Sequence, residues 1–458
     1  MRDKIDNKFK IDSSRLIPIS FLMAIIVGTF LLMLPISTAE GETTNLVTAL
    51  FTSTTSICVT GLVVVDTFSH WSLFGKIIIL ILIQLGGLGI ISVTSILMLM
   101  VHKKFSLEQS ILLHDAFNLN SVTGLMKFLA GVFKGTFAVE AFGALVYMIT
   151  FVPKYGVKGV WYSVFTSISA FCNAGIDILG PDSLISYNDN PLVLLNTIML
   201  IVLGGLGYVV WFDFLNGVSL GHKKGYSLRL ILRRLSEHTR LVLNITVFLI
   251  LSGTIAVLIL EYNNPETIGN MSFGDKVLNS LFQSVTFRTA GFASIPQQSM
   301  TDATCFMGCL YMFIGGSPVG TAGGVKTVTF FVAILNAVSF VRNRNENVVC
   351  HRKVTSDLIH KASAIIAVSF GVTFVMLIIL LATNNISLVD GMYEMFSATA
   401  TVGLSRSLTP SLNVFGKVLI ITAMYLGRIG PISMALFFRY DGSEKNNVGF
   451  ARGNYFVG

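Results

Sequence analysis

Four short segments each contain one glycine beside apolar residues, and they recur at nearly equal distances along the chain. The intervals are 114, 116 and 112 residues, between Gly61, Gly175, Gly291 and Gly403. Each glycine follows a short stretch that opens with phenylalanine and is mostly rich in hydroxyl side chains, beginning at Phe51, Phe165, Phe282 and Phe396. A ring of backbone carbonyls from such loops can replace the water shell of a dehydrated cation. The spacing therefore predicts a candidate ion pathway made from one unit used four times.

The predicted filter loops consist of each glycine and the two residues before it. A carbonyl that points into a narrow pore usually needs a neighbour with positive φ, which glycine adopts without steric strain. Thr401-Val402-Gly403 matches the start of the potassium-channel sequence TVGYG, whereas the other loops share only the glycine and none has the second glycine. We therefore expect one well-specified potassium position at the backbone carbonyls of Val59, Thr60, Gly61, Asn173, Ala174, Gly175, Thr289, Ala290, Gly291, Thr401, Val402 and Gly403.

The composition indicates the environment in which these loops must be positioned. Hydrophobic residues make up 53% of the 458 residues, charged residues make up 12%, and the mean hydropathy is +0.74. Soluble domains carry about twice this share of charge, so the sequence predicts a polytopic membrane protein. The net charge of +8 does not indicate nucleic-acid binding, because the basic residues flank apolar segments instead of alternating with aromatic residues.

Eight apolar segments are long enough to cross a bilayer of about 30 Å, which requires roughly 20 helical residues. They lie near 16–36, 73–100, 127–151, 191–216, 240–260, 303–340, 361–383 and 411–438. Between the members of each successive pair lies a stretch too short to cross, and these half-length segments are 43–57, 158–171, 273–287 and 388–399. Each leads directly into a filter loop, which is typical of a re-entrant pore helix.

The resulting fold prediction is an all-α polytopic membrane protein. It contains four direct repeats of helix, pore helix, filter loop and helix around a pseudo-four-fold pore. The last helix of the third repeat is expected to be broken. The predicted units are a cytoplasmic N-terminal segment at 1–15, repeats at 16–101, 126–217, 236–341 and 356–439, and a cytoplasmic C-terminal tail at 440–458.

The charge distribution predicts the orientation in the membrane. Most of the 32 lysine and arginine residues fall on one side of the eight-span arrangement, in the segments 1–15, 103–127, 223–240, 342–361 and 439–452. The positive-inside rule places this side, with both termini, in the cytoplasm of a multi-pass cell-membrane protein. The opposite side carries acidic residues near the filter loops, such as Asp66 and Asp177, which form either a cation-concentrating mouth or ordinary solvated loop charge.

No pattern in the sequence indicates an enzyme, a zinc site or a nucleotide site. The five cysteines lack a CxxC spacing and a nearby histidine pair, which argues against a disulfide framework and a zinc site. The histidines lie near span ends or in loops, and HExxH and GxSxG are absent from the spans. Gly320 to Thr327 resembles a phosphate-binding loop, but Val325 stands where that motif requires glycine, so we expect no nucleotide on this chain.

A second glycine cluster follows each filter loop after 25 to 30 residues. In the first two repeats, around Gly87 and Gly205, close helix packing is a sufficient explanation. In the third repeat five glycines and a proline interrupt the apolar segment at mid-membrane depth, which excludes a continuous helix. We expect a mobile constriction, or gate, beneath the filter, formed by Gly315, Gly316, Ser317, Pro318, Val319, Gly320, Thr321, Ala322, Gly323, Gly324 and Lys326.

Three arginines lie close to the predicted pathway. Arg428 replaces the second glycine of the fourth cluster, and a buried arginine in a membrane is costly unless it is paired or faces water. We expect Arg428 to belong to the gate by donating hydrogen bonds to loop carbonyls, or else to act as a structural tether. Arg288 and Arg406 adjoin the third and fourth filter loops and are expected to hold these loops from behind or to reach the outer surface.

Several of these features resemble the Trk/Ktr/HKT superfamily of potassium-uptake proteins: the four filter loops, the glycine-rich break at 315–326, and Leu426-Gly427-Arg428-Ile429-Gly430-Pro431. The short segment before the first span is most similar to the Ktr-type membrane (B) subunit. The resemblance implies a homodimer in the lipid membrane with a cytoplasmic ring of nucleotide-binding RCK (KTN) subunits. In the plant branch a serine at the first filter position resembles a sodium-preferring pore, so Gly61 favours potassium.

The resemblance and the repeats together predict potassium-selective uptake across the cytoplasmic membrane through a gated, channel-like pore, in a chain that is not an enzyme. Potassium (K+) is the expected transported ion, with sodium (Na+) as a further candidate. The alternative is a sodium-coupled or less selective monovalent-cation transporter, such as a symporter, with alternating access. Such transporters are typically built from inverted repeats. The four repeats here all place the short helix on the same side, which favours the channel.

Overall fold

A computed structural model describes residues 13–89, 125–344, 346–349 and 352–430, and within them the chain is mainly helical. The predicted helical fold is confirmed. Two short strands, β1 (Val348–Val349) and β2 (Arg352–Lys353), pair in antiparallel register between the third and fourth repeats. The predicted N-terminal segment, apart from its last three residues, and the predicted C-terminal tail lie outside the described residues.

The helices are grouped by repeat. The first repeat contains α1 (Ser13–Leu32), α2 (Leu46–Ile57), α3 (Thr67–His70) and α4 (Leu73–Leu88). The second contains α5 (Leu125–Tyr155), α6 (Lys158–Cys172), α7 (Pro191–Gly205) and α8 (Tyr208–Lys224), followed by α9 (Leu228–Arg234). The third contains α10 (Glu237–Glu261), α11 (Phe273–Thr286), α12 (Asp302–Phe313) and α13 (Thr327–Val341). The fourth contains α14 (Ser356–Thr383), α15 (Leu388–Thr399) and α16 (Val414–Ile429).

The half-length segments form the four short helices α2, α6, α11 and α15. Three of them begin at a polar residue whose side chain accepts a hydrogen bond from a backbone N–H group of the first turn, namely Asn45, Ser272 and Ser387. The inner ends of all four are buried, whereas the long helices α10 and α14 expose apolar side chains such as Phe248 and Ile378. The short helices therefore form the centre of the fold, and the long helices form a rim suited to lipid.

Three described helices are long and apolar enough to cross a membrane, namely Phe128–Tyr155, Glu237–Glu261 and Ser356–Thr383. A fourth span is counted if α7 and α8 are taken together, although this pair is bent by 100°. The apolar helices α4 and α13 are shorter. The described residues thus contain fewer full-length spans than the eight predicted. Breaks divide the second helices of the second and third repeats, and those of the first and fourth repeats are described only as far as Gly89 and Gly430.

The prediction that close packing alone explains the glycine cluster is wrong for the second repeat, whereas in the first repeat an added Cβ at Gly87 would lie 2.5 Å from the Cys172 sulfur, as close packing requires. In the second repeat the predicted span 191–216 divides at Gly207, whose φ is +86°, and the chain turns by 100°. In the first repeat α4 ends at Leu88, next to Gly89 with a φ of +81°. The remainder of that predicted span lies outside the described residues. The third repeat is interrupted between α12 and α13, as the sequence predicts.

Candidate functional site

The four filter loops meet in a closed ring at the centre of the fold. Gly61 packs so closely on the second loop that an added Cβ would lie 2.5 Å from the Ala174 carbonyl oxygen. The same relation links each glycine to the carbonyl before the glycine of the next repeat, in the pairs Gly175 with Ala290, Gly291 with Val402, and Gly403 with Thr60. One carbonyl from every loop therefore lies against a neighbouring loop around a common axis.

The backbone of each filter loop is left-handed at two positions. The four glycines have φ values between 63° and 103°. The residue two positions before each glycine also has a positive φ, from 52° to 64°, at Val59, Asn173, Thr289 and Thr401. This conformation costs a residue other than glycine about 1–3 kcal/mol and persists only where the surroundings enforce it. The positive φ of the glycines could be predicted from the sequence, whereas that of the second set could not. Only Asn173 offers a signal, because asparagine tolerates this region.

Hydroxyl side chains of the short helices support the filter loops. In three repeats the hydroxyl six residues before the glycine accepts a hydrogen bond of 3.0–3.1 Å from a loop N–H group, in the pairs Thr55–Gly61, Ser169–Ile176 and Ser397–Gly403. In the third repeat the hydroxyl of Thr286, five residues before Gly291, donates to the Phe292 carbonyl at 2.6 Å, as the Ser169 hydroxyl also does to the Ile176 carbonyl at 2.5 Å. The hydroxyl residues repeated in the sequence therefore satisfy backbone groups that lie outside regular structure.

The C-terminal ends of the short helices surround this ring. Each short helix ends within five residues of its filter glycine, at Ile57, Cys172, Thr286 and Thr399. A helix carries a partial negative charge at its C-terminus, which stabilises a nearby cation. The ring thus combines carbonyl oxygens with four helix C-termini, and both features favour a positive ion over an anion.

A cavity of about 310 Å³ adjoins the ring on the side where the filter loops continue to the next helices. Its wall includes the four filter glycines and the carboxyl-bearing residues Asp66 and Asp177. Enclosure in this wall raises the pKa of Asp177 to about 6. Glu394, in contrast, is buried and accepts a hydrogen bond from the Ser405 hydroxyl at 2.7 Å. Asp66 and Asp177 therefore line the cavity, whereas Glu394 supports a loop.

The 315–326 loop is anchored on the break in the second repeat. Three backbone hydrogen bonds join them, from the Ser317 N–H to Gly205 O at 2.9 Å, from the Thr321 N–H to Gly204 O at 3.1 Å, and from the Tyr208 N–H to Val319 O at 3.0 Å. A continuous helix would use these groups of the second repeat internally, so the bend between α7 and α8 makes them available. The backbone groups at this bend therefore hold the 315–326 loop in place.

The 315–326 loop also passes directly beneath the fourth filter loop. An added Cβ at Gly323 would overlap the Thr401 hydroxyl, and one at Gly315 would overlap the Gly323 carbonyl. The loop closes on itself where the Gly315 N–H donates to the Val325 carbonyl at 2.9 Å. The glycines therefore let the backbone fold into a space that side chains would otherwise fill.

Arg428 connects this loop to the first repeat. Its guanidinium donates to the Thr321 carbonyl at 2.6 Å and also to the Gly86 carbonyl. Lys326 donates to the Ala322 carbonyl at 2.7 Å, so backbone oxygens hold both cations. Among the described residues no carboxylate lies within ion-pair distance of Arg428. A cavity of about 340 Å³ adjoins both side chains.

The two other arginines lie in different surroundings. Arg406 donates to the carbonyls of Met300 and Gln298 at 3.3 and 3.2 Å and forms an ion pair with Asp390 at 2.8 Å. It therefore ties the segment after the third filter loop to the fourth repeat. Arg288 is 8% exposed, and in the part of the chain that the structure describes its Nε atom has no hydrogen-bond partner.

Comparisons with known proteins agree with this architecture. The TrkH family, described as cation transport proteins, matches residues 6–448. The chain is 36% identical to the Ktr system potassium uptake protein B of Bacillus subtilis (strain 168), over 100% of this chain and 99% of that protein. It is 33% identical to the potassium/sodium uptake protein NtpJ of Enterococcus hirae, over 94% of each chain.

A solved structure is similar to the whole fold. The crystal structure of the potassium transporter TrkH from Vibrio parahaemolyticus has a TM-score of 0.73 at 15% identity, over 94% of this chain and 86% of that one. At this identity the likeness shows the fold. The family match and the full-length relatives confirm the membership that the filter loops predict. This chain belongs to the TrkH family of cation transport proteins.

Proposed function

We propose that this chain mediates potassium-selective uptake across the cell membrane through a gated, channel-like pore. The observation that carries the proposal is the closed ring of four filter loops, in which one carbonyl oxygen per repeat lies against the next loop. Carbonyl oxygens arranged in this way substitute for the water around a dehydrated cation. The name of the Bacillus subtilis relative, a potassium uptake protein, supports potassium as the transported ion.

The proposed path begins in the cavity beside the ring. Cations collect near Asp66 and Asp177, since carboxylates raise the local cation concentration. They then cross the carbonyl ring and reach the second cavity, which is lined by the 315–326 loop and Arg428. The membrane potential supplies about 2.3 kcal/mol per charge for each 100 mV, so inward flow needs no chemical step in this chain.

We assign the gate to the 315–326 loop together with Arg428. The loop is held by separate hydrogen bonds to the second repeat and to Arg428, and these bonds can be exchanged one by one. A gate requires two arrangements of one element and a partner that binds them with different affinity. While Arg428 is bonded to the loop, its positive charge beside the path adds an electrostatic barrier to a cation.

In the cell the proposed arrangement is a multi-pass protein with both termini in the cytoplasm, surrounded by membrane lipid. Relatives are named as proteins of a Ktr system, which supports an assembly with further components. We propose a homodimer that binds a cytoplasmic ring of nucleotide-binding RCK (KTN) subunits. The basic segments 222–240 and 342–361 are the proposed docking surfaces, and the second of these contains β1 and β2.

A sodium-coupled or less selective transporter is the second candidate. One observation favours it, since the Enterococcus hirae relative is named for both potassium and sodium uptake. Alternating access is typically built from inverted structural repeats. The four loops here follow one another around the ring in chain order, which supports direct repeats and a channel-like path.

Ion uptake by liposomes that contain only this purified chain separates the two candidates. A channel is expected to carry rubidium, a potassium substitute, down an imposed membrane potential without a sodium gradient, and faster than it carries sodium. Rubidium uptake that occurs only with a sodium gradient would support the coupled transporter. Equal uptake of rubidium and sodium would contradict potassium selection. Liposomes without protein provide the background flux.

A further inference from the structure

A buried carboxyl group lies behind the second filter loop. Glu140 lies near the middle of α5 and is 4% exposed. Both of its carboxyl oxygens are within hydrogen-bond distance of the Gln84 Nε2 atom on α4, at 3.0 and 3.3 Å. Within the described ranges, no lysine, arginine or histidine lies within ion-pair distance of Glu140. The carboxyl group therefore has an amide partner instead of a charged one.

The surroundings favour a neutral Glu140. An isolated carboxylate at membrane depth is costly, and a buried acid without a cation takes up a proton instead. A protonated carboxyl group still accepts hydrogen bonds, so the Gln84 amide N–H group donates to Glu140 in its neutral form as well. Hydrogen bonds of this kind join helices in membranes and contribute about 1 kcal/mol each. The pair therefore links α5 to α4.

This pair also contacts the second filter loop. The thiol of Cys172, the residue directly before Asn173, lies 3.7 Å from Gln84 Oε1 and 3.9 Å from Glu140 Oε1. An added Cβ at Gly87 would lie 2.5 Å from the Cys172 sulfur, so α4 packs directly on the end of α6. A movement of α4 is therefore transmitted to the first residue of the second filter loop.

The Glu140–Gln84 pair also lies close to the group that accepts a hydrogen bond from Arg428. Gln84 lies two residues before Gly86, whose carbonyl accepts a hydrogen bond from Arg428. On the other side of the pair, the Ser167 hydroxyl of α6 donates to the main-chain oxygen of Glu140 at 2.6 Å. One turn of α4 thus holds both the link to the second filter loop and the acceptor of Arg428.

We propose that Glu140 is a positioning residue. In its neutral form it fixes α4 against α6, the short helix of the second repeat. This contact positions the second filter loop and the Gly86 carbonyl that accepts from Arg428. This inference rests on the proposed function, because it concerns the selectivity and closure of the same path. Breaking the pair is expected to have two linked effects. Discrimination between rubidium and sodium weakens, and the flux through the chain without its cytoplasmic partner rises.

Three variants in liposomes test this role. Glu140→Leu is expected to lower the ratio of rubidium to sodium uptake by about twofold to thirtyfold, the range for mutations that modulate coupling without touching either ligand, and to raise the basal flux. Glu140→Gln is neutral and similar in shape, so it is expected to retain the parent's ratio and flux. Asn196→Leu is the matched control. It removes a buried 3.0 Å hydrogen bond to the Gly143 carbonyl of the same α5, away from the filter loops.

The outcomes separate the possible roles of Glu140. A Glu140→Gln chain that behaves like Glu140→Leu would show that the charge matters and would overturn the neutral pair. An unchanged ratio in Glu140→Leu, or an equal loss in Asn196→Leu, would overturn the positioning role. Gln84→Met breaks the pair from the side of α4 and is expected to reproduce both effects even where Glu140→Leu fails to insert. A parent chain without rubidium preference would instead contradict the proposed function.

Discussion

The guanidinium of Arg428 lies 2.6 Å from the main-chain oxygen of Thr321 and also donates to the Gly86 carbonyl. One side chain of the fourth repeat therefore joins the loop of the third repeat to a helix of the first. The loop is in turn bonded to the second repeat at Gly204. All four repeats thus meet beneath the filter ring, so the proposed opening of the loop requires these hydrogen bonds to be exchanged.

Replacing Arg428 with alanine is expected to raise the basal rubidium flux into liposomes about tenfold. Hydrogen bonds of a charged donor contribute about 1.5–3 kcal/mol, and losing them from the closed arrangement alone shifts the population toward the open one. Arg406→Ala removes the tether between the segment after the third filter loop and the fourth repeat and serves as the matched control, with basal flux unchanged. An Arg428→Ala chain that inserts normally and conducts like the parent would exclude Arg428 from the gate.

Replacing Gly175 with serine is expected to reduce the preference for potassium over sodium. Gly175 has a φ of +63°, and an added Cβ would lie 2.5 Å from the Gly291 Cα atom, so serine must displace the third filter loop. Gly156→Ser is the matched control, because Gly156 has a φ of +62° and nothing lies within 4 Å of an added Cβ. Relative rubidium and sodium uptake is the measurement. The same ratio in both variants would contradict selection by the carbonyl ring.

The ring could be predicted from the sequence because its parts are repeated at fixed spacing. The position of Gly61 relative to a half-length apolar segment recurs three more times, and repetition is visible in one dimension. The break at 315–326 could also be predicted, because proline and several glycines exclude a helix. The left-handed φ of Val59 and Thr401 could not be predicted, because β-branched residues avoid this region unless their neighbours enforce it.

The bend in the second repeat shows why local sequence is insufficient there. Gly204 does belong to a packing surface, since an added Cβ would overlap the Phe171 carbonyl. The bend at Gly207, however, makes backbone groups available to the 315–326 loop, which is distant in the sequence. Such a partnership depends on tertiary structure, and the composition around Gly207 contains no signal of it. The Glu140–Gln84 pair, which joins two repeats, escaped prediction for the same reason.

Replacing Thr55 with valine is expected to lower the free energy of unfolding by about 1–3 kcal/mol, because the buried N–H group of Gly61 then lacks its acceptor. Discrimination between rubidium and sodium should weaken in the same variant, since the first filter loop loses its support. Thr422→Val is the matched control, because Thr422 bonds only to the Val418 carbonyl of its own helix on an exposed face. Thermal unfolding in detergent measures the effect. Equal unfolding temperatures for the two variants would exclude this support.

Uptake is expected to weaken as the external pH falls below about 6. Enclosure in the cavity wall raises the pKa of Asp177 to about 6. Above this pH the carboxylate is ionised and attracts cations, and below it the group is protonated and the attraction is lost. Asp177→Asn should therefore lower the apparent affinity for rubidium at neutral pH and remove the pH dependence in this range. Asp189→Asn alters an exposed carboxylate and should behave like the parent. A parallel decline in the parent and in Asp177→Asn would assign the pH effect to another group.

Deletion of residues 316–322 is expected to raise the potassium flux if the loop obstructs the path. The two ends of the deletion are already adjacent, because an added Cβ at Gly315 would overlap the Gly323 carbonyl. Joining them therefore requires little movement of α12 and α13. The deletion removes the hydrogen bonds of Ser317 and Thr321 to the second repeat and the acceptor of Arg428.

Two further variants distinguish obstruction by this loop from support of the fold. Ser317→Ala leaves the backbone hydrogen bonds in place and should conduct like the parent in liposomes. Arg428→Ala combined with the deletion should add nothing to the deletion alone, since both changes remove the same contact and their effects are then not additive. A fall in flux for a deleted chain that still inserts in the membrane would mean that the loop holds the second and third repeats together and does not close the path.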